Sequence, residues 1–318
     1  MTAYGIILEE DGMNRWFCFL VGGLLLISLG LTACQSTPSV SSGKKSIIVT
    51  YSVLGSVVKD LVGDKANVIV STPNGQDPHD WEPSAKDIEA INKADLVVKN
   101  GLGLEGGMEK TLASAESSGV KFFTASDHIT IRHVGPGEGI PSGDPDQSVG
   151  APDPHLWMDA VTIKSMVIAL ADELQKDFNL DVSSQAIDLE KRLDNLNQQV
   201  ADTVAAIPQT DRKLVTGHES MGYFAQRYGF KLVGVIIPSL TSQAEVSAAD
   251  LADLKKSIHD NQVKAIFTEL GTNPNAAKAI GDETGVKVVE LTTHALPADG
   301  SYFTFMNDIA KVITNGLK

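Results

Sequence analysis

Residues 182–208 read VSSQAIDLEKRLDNLNQQVADTVAAIP. Val182, Ala186, Leu189, Leu193, Leu196, Val200, Val204 and Ile207 recur at spacings of three and four, so one apolar stripe runs the length of a helix. Ser183 or Ser184 can cap its start and Pro208 stops it. About 24 helical residues at 1.5 Å each make a rod of roughly 36 Å. Sequence of a different character lies on either side of it.

Upstream, β-rich runs at 47–51, 68–71, 96–99 and 120–124 alternate with helical patterns at 53–62, 85–93 and 107–117. Downstream the alternation returns, with strands expected at 213–216, 232–237, 265–268 and 286–291 and helices at 220–228, 244–259, 275–283 and 303–317. Strand–helix alternation predicts a mostly parallel sheet covered on both faces. The fold class is therefore α/β: a lobe over 46–180, a linking helix over 181–208 and a second lobe over 209–318. A coiled-coil seam would need more heptads than the stripe supplies. Residues 127–153, rich in Gly, Pro and Asp, read as a long mobile loop carrying His128 and His133.

The first 45 residues are an address and a tether. Arg15 precedes a short apolar run from Trp16 to Leu31, followed by Thr32-Ala33-Cys34. That is the pattern of a secretory signal over 1–33, too short for a transmembrane span. Glu9, Glu10 and Asp11 do not suit a signal's basic start, so translation is expected to begin at Met13. Leu31-Thr-Ala-Cys34 resembles the bacterial lipobox, which makes Cys34 the lipidated first residue, and the Ser-rich stretch 34–45 reads as its tether.

The chain has 318 residues and a net charge of −14, which argues against nucleic acid as a partner and suits a cationic ligand. Its two cysteines, Cys18 and Cys34, precede both lobes, so neither a disulfide, a thiolate metal site nor a nucleophilic thiol is available in the folded part.

Histidines remain. His79 lies in Asp77-Pro-His-Asp-Trp81 past the second strand, and His155 in the matching Asp153-Pro-His-Leu-Trp157. Proline fixes φ and the preceding Asp can bond its own backbone, so each turn presents its imidazole rigidly. His218 follows the strand at 213–216, and His294 follows the strand at 286–291. Ligands bind at the carboxyl ends of strands in open α/β sheets, which brings two histidines from each lobe to one cleft. Imidazoles without thiolate suit zinc, copper, nickel or iron, and three or four around one point favour tetrahedral zinc.

These residues resemble the zinc- and manganese-binding solute-binding lipoproteins of bacterial ABC importers. The likeness also runs through Leu61-Val-Gly-Asp-Lys65, Val215-Thr-Gly-His-Glu-Ser-Met-Gly-Tyr-Phe224, Ile266-Phe-Thr-Glu269 and Gly300-Ser-Tyr-Phe303. It implies two α/β lobes joined by one long helix, with the metal between them. It makes His79, His155 and His218 ligands, the last being His in zinc-type members and Glu in manganese-type ones. The fourth ligand of the family is usually an Asp; here His294 stands at or beside that place, with Glu219, Glu269 and Asp299 as substitutes or supports. The loop histidines His128 and His133 would form a sparse collector.

The expectation is an extracytoplasmic, lipid-anchored monomer, not an enzyme. It would capture Zn2+ (Mn2+ as the alternative) and pass it to a membrane permease driven by a cytoplasmic ATPase. Two other classes fit the sequence less well. A zinc hydrolase would use Glu219 as base, but the sequence lacks His-Glu-x-x-His because position 222 is Gly. Nothing in the sequence supports a surface adhesin separately from metal binding.

Overall fold

The computed structural model describes residues 43–138 and 149–318. The signal, the tether and Cys34 lie outside the described residues, apart from the tether's last three. Among the described residues no helix is long and apolar enough to cross a membrane.

Strands β1 (Lys45–Tyr51), β2 (Ala66–Thr72), β3 (Leu96–Lys99) and β4 (Lys121–Thr124) form one sheet in the order β2-β1-β3-β4, parallel throughout. Alternation in β1 shows why both faces are covered. Ile47, Val49 and Tyr51 enter the main core with helix α1 (Ser52–Val62). Ile48 faces the other way, onto Ile91 of α2 (Ala85–Asn92) and Leu112 and Ala115 of α3 (Glu109–Ser117).

A second long helix runs beside the expected linking helix. Helix α4 (Ala160–Phe178) turns back through Asn179 at φ 51° and packs antiparallel on α5 (Ser183–Val204), the expected linking helix. All eight residues of the predicted stripe, six on α5 and Val182 and Ile207 flanking it, are buried at 5% exposure or less. Its 22 residues span about 33 Å. Capping differs from expectation: Asp181 Oδ1 accepts from the backbone N–H and hydroxyl of Ser183, so the serine lies inside the first turn.

Beyond α5 come β5 (Lys213–Thr216), α6 (Gly222–Tyr228), β6 (Lys231–Val235), α7 (Ala248–Asp260), β7 (Ala265–Thr268), α8 (Pro274–Thr284), β8 (Lys287–Glu290) and α9 (Tyr302–Leu317). The strands pair in parallel as β5–β6 and β7–β8, with β5 beside β7. Val215 and Ile266 pack against α7 and α8, while Leu214, Ala265 and Phe267 join the core that contains α5 and α9. The α5 stripe is thus the apolar spine on which both lobes rest.

The 127–153 segment is less irregular than expected. Its two arms meet in an antiparallel bridge, His133 to Pro152, with Val134 N–H bonding Ala151 O and Asp153 N–H bonding Arg132 O. Val134 and Ala151 then pack on Leu240 of the second lobe. The expected mobility concerns the apex, residues 139–148, which lies outside the described residues.

Candidate metal centre

The two Asp-Pro-His turns are built alike. Asp77 Oδ1 accepts from His79 N–H at 3.0 Å, and Asp153 Oδ1 accepts from His155 N–H at 3.0 Å. Each turn has its own support. Beneath the first lie Gly106 and Gly107, whose missing side chains make the approach possible: a Cβ would stand 2.8 Å from His79 O at Gly106 and 2.5 Å from Trp81 O at Gly107. The second is held by Asn100 at the end of β3, which donates to Pro154 O at 2.8 Å and accepts from the Tyr51 hydroxyl. From the second lobe, His218 follows β5, where Thr216 Oγ1 donates to its carbonyl at 2.7 Å. His294 lies in the irregular segment after β8.

All four rings are buried, and their ligating nitrogens lie within 4.8 Å of one another. His155 is the hub: its Nε2 is 3.3 Å from His79 Nε2 and 3.2 Å from His218 Nε2. The opposite nitrogens are held from behind. His155 Nδ1 donates to Asp153 Oδ1 at 2.9 Å, and His218 Nδ1 lies 3.0 Å from Glu269 Oε2. His294 Nδ1 meets Thr293 Oγ1, which itself donates to Glu269 Oε2 at 3.0 Å, so one carboxylate serves both second-lobe rings. At His155 and His294 the tautomers fixed in this way turn the Nε2 lone pairs inward. His294 Nε2 is buried with no hydrogen-bond partner.

Electrostatics favour neutral rings at three of the four positions. Burial, then the repulsion of His218, takes His79 down to about 4 and His294 to about 3. Burial and the neighbouring imidazoles hold His155 well below the ordinary value. Burial also opposes charge on His218, but the carboxylates of Glu269, Asp77 and Asp153 together outweigh it and raise this ring above its ordinary value.

The other sequence candidates fall in different places. Glu269 is a support behind the rings. Glu219 is buried beside His218 outside the four-ring group, and burial pushes it up to about 7. Asp299 is exposed and serves the start of α9, accepting from Ser301 N–H and Thr304 Oγ1, which corrects its candidacy as a substitute ligand. His128 stacks flat on Phe123 at 4.4 Å, and both loop histidines are exposed and outside the group. Sequence reasoning missed Asn100, Thr293, the Gly106–Gly107 pair and Arg132. The Arg132 guanidinium, only 6% exposed, binds Asp153 Oδ2 at 3.0 Å and also Glu138. Of these, only Asn100 carried a signal, as a polar residue ending a strand.

Two α/β lobes that bring four inward-facing imidazoles to one point, with carboxylates behind them, define a metal-binding protein. Residues 47–316 match the family described as zinc-uptake complex component A, periplasmic (ZnuA), and the chain belongs to that family. Its members are metal-binding, substrate-binding lipoproteins of ABC importers and not enzymes, which removes the hydrolase alternative. The chain is 26% identical over 310 residues to the manganese-binding lipoprotein MntA of Halalkalibacterium halodurans, covering 95% of this chain and 98% of that one. It is 29% identical over 301 residues to the zinc-binding lipoprotein AdcA of Streptococcus pneumoniae, covering 91% and 58%. The fold matches the periplasmic zinc binding protein TroA from Treponema pallidum, with a TM-score of 0.75 at 24% identity over 86% of this chain and 99% of that one.

Proposed function

We propose that this importer component captures Zn2+ through His79, His155, His218 and His294 and delivers it as a monomer to a permease powered by a cytoplasmic ATPase. Lipid on Cys34 would hold it at the outer face of the cell membrane. One observation carries the zinc reading: the Nε2–Nε2 separations of 3.2 and 3.3 Å. A tetrahedral ion with Zn–N bonds of 2.0–2.1 Å spaces its nitrogens by roughly 3.3–3.4 Å. An all-imidazole shell also suits zinc better than manganese, which prefers carboxylate and water. Manganese is the second reading, favoured by the name of the MntA relative. Calorimetric competition separates the two: one Zn2+ per chain, bound more tightly than Mn2+, is expected, and tighter Mn2+ would overturn the zinc reading.

The ring environments set the pH dependence. Metal needs all four Nε2 lone pairs, and only His218 has its proton affinity raised, so it is the last of the four rings to lose its proton as pH rises. Zinc affinity is therefore expected to fall about tenfold per pH unit as pH drops below the His218 value, with one proton released per ion bound. The fall should steepen near pH 4, where His79 begins to protonate. Chelator competition from pH 8 to pH 4 reads the slope; a slope of three or four protons near pH 6.5 would contradict this order of titration.

A further inference from the structure

The segment that carries His294 belongs to the second lobe by sequence, but the partners of its backbone lie in the first. Leu291 N–H still bonds Thr268 O of β7, and the backbone then leaves regular structure until α9. Among the described residues, the backbone hydrogen bonds of 292–296 all go to the first lobe. Trp157 Nε1 donates to Thr293 O at 2.9 Å. Asn74 makes the other two: its Oδ1 accepts from Leu296 N–H at 2.7 Å and its Nδ2 donates to Leu296 O at 2.9 Å. This paired contact imitates one rung of a β-ladder.

Asn74 is placed to make it. It sits in the turn after β2, where Gln76 N–H bonds Pro73 O and Gly75 takes φ 85°, as a turn with glycine third requires. Toward α9 the segment has no comparable hold, because a cavity of about 220 Å³ lies there, lined by Leu291, Leu296, Pro297, Phe305 and Ile309. On its own lobe the segment is tied by one side-chain bond, Thr293 Oγ1 to Glu269 Oε2 at 3.0 Å, whereas its backbone hydrogen bonds come from the opposite lobe.

We propose that Asn74 is a positioning residue for His294: its two bonds to Leu296 set the fourth metal ligand from across the cleft, so that this ligand is lost first when the lobes part. The inference rests on the reading of His294 as a ligand. It supplies a release order: His79 and His155 stay fixed on the first lobe and His218 on β5, while His294 withdraws with its segment and leaves a three-imidazole site open to exchange.

The test is the dissociation rate of Zn2+ into excess chelator for the parent, Asn74→Ala, His294→Ala and the double variant. Partners that orient ligands are worth 10–100-fold, so Asn74→Ala should release zinc about tenfold faster than the parent. In the His294→Ala background the same change should have less than about a twofold effect. Because Asn74 is exposed, metal-free Asn74→Ala should melt with the parent. An unchanged rate in Asn74→Ala, or an equal acceleration in both backgrounds, overturns the positioning role while leaving His294 a ligand. Unchanged zinc binding in His294→Ala overturns the ligand assignment and the inference together.

Discussion

His155→Ala is expected to weaken zinc binding by about two orders of magnitude while the metal-free protein still folds. A four-ligand zinc site is worth roughly 10–16 kcal/mol near neutral pH, so an average ligand carries about 3 kcal/mol, or roughly a hundredfold. His155 should carry at least that share, since its Nε2 is the atom closest to both His79 and His218. It is also already neutral and oriented, so little of its binding energy goes into deprotonation or ring rotation. The fold should tolerate the loss. Asp153 Oδ1 keeps the backbone N–H of residue 155, and Asp153 Oδ2 keeps Arg132. Calorimetry with Zn2+ beside a melting curve of the metal-free variant checks both halves. Undiminished affinity would remove His155 from the shell, and with it the tetrahedral geometry.

What could be read from the sequence follows the range over which each signal acts. The α5 stripe and the strand ends bearing His79, His218 and His294 are local patterns, repeated every three or four residues or set by one strand, and they survive into the structure. The Asp-Pro-His turns are local too, because Asp77 and Asp153 bond backbone only two residues away. What supports the rings is not local. Asn100 reaches Pro154 across 54 positions, Trp157 reaches Thr293 across 136, and Asn74 reaches Leu296 across 222. No periodicity encodes such pairs. Asp299 shows the converse error: five positions from His294, it looked available, but a nearer local bond to Ser301 and Thr304 claims its carboxylate. Helix α4 is local in the same way as α5: Ile163, Met166, Val167, Leu170 and Leu174 form its buried stripe directly after the His155 turn.

Arg132→Met should destabilise the metal-free protein by about 3–5 kcal/mol, the usual cost of leaving one partner of a buried ion pair alone. The Asp153 carboxylate is fully buried, and Arg132 supplies the cation beside it. Burial already pushes Asp153 up to about 6 against the pull of that guanidinium. Without it the carboxylate loses its counter-charge and takes up a proton more readily, and a neutral carboxyl accepts less strongly from His155 Nδ1, so zinc affinity should also fall, by about tenfold. The site leaves no room for adjustment from the second lobe, since a Cβ at Gly222 would stand 2.2 Å from Asp153 Oδ2 and 2.3 Å from Arg132 Nη1. Adding Asp153→Asn separates the two effects. The double variant has no stranded charge and should recover most of the stability, yet its amide cannot supply a carboxylate behind His155, so the affinity should stay low. Urea unfolding with and without Zn2+ gives both quantities. If Arg132→Met unfolds like the parent, or if the double variant regains zinc affinity along with stability, the guanidinium does not act on the metal through Asp153.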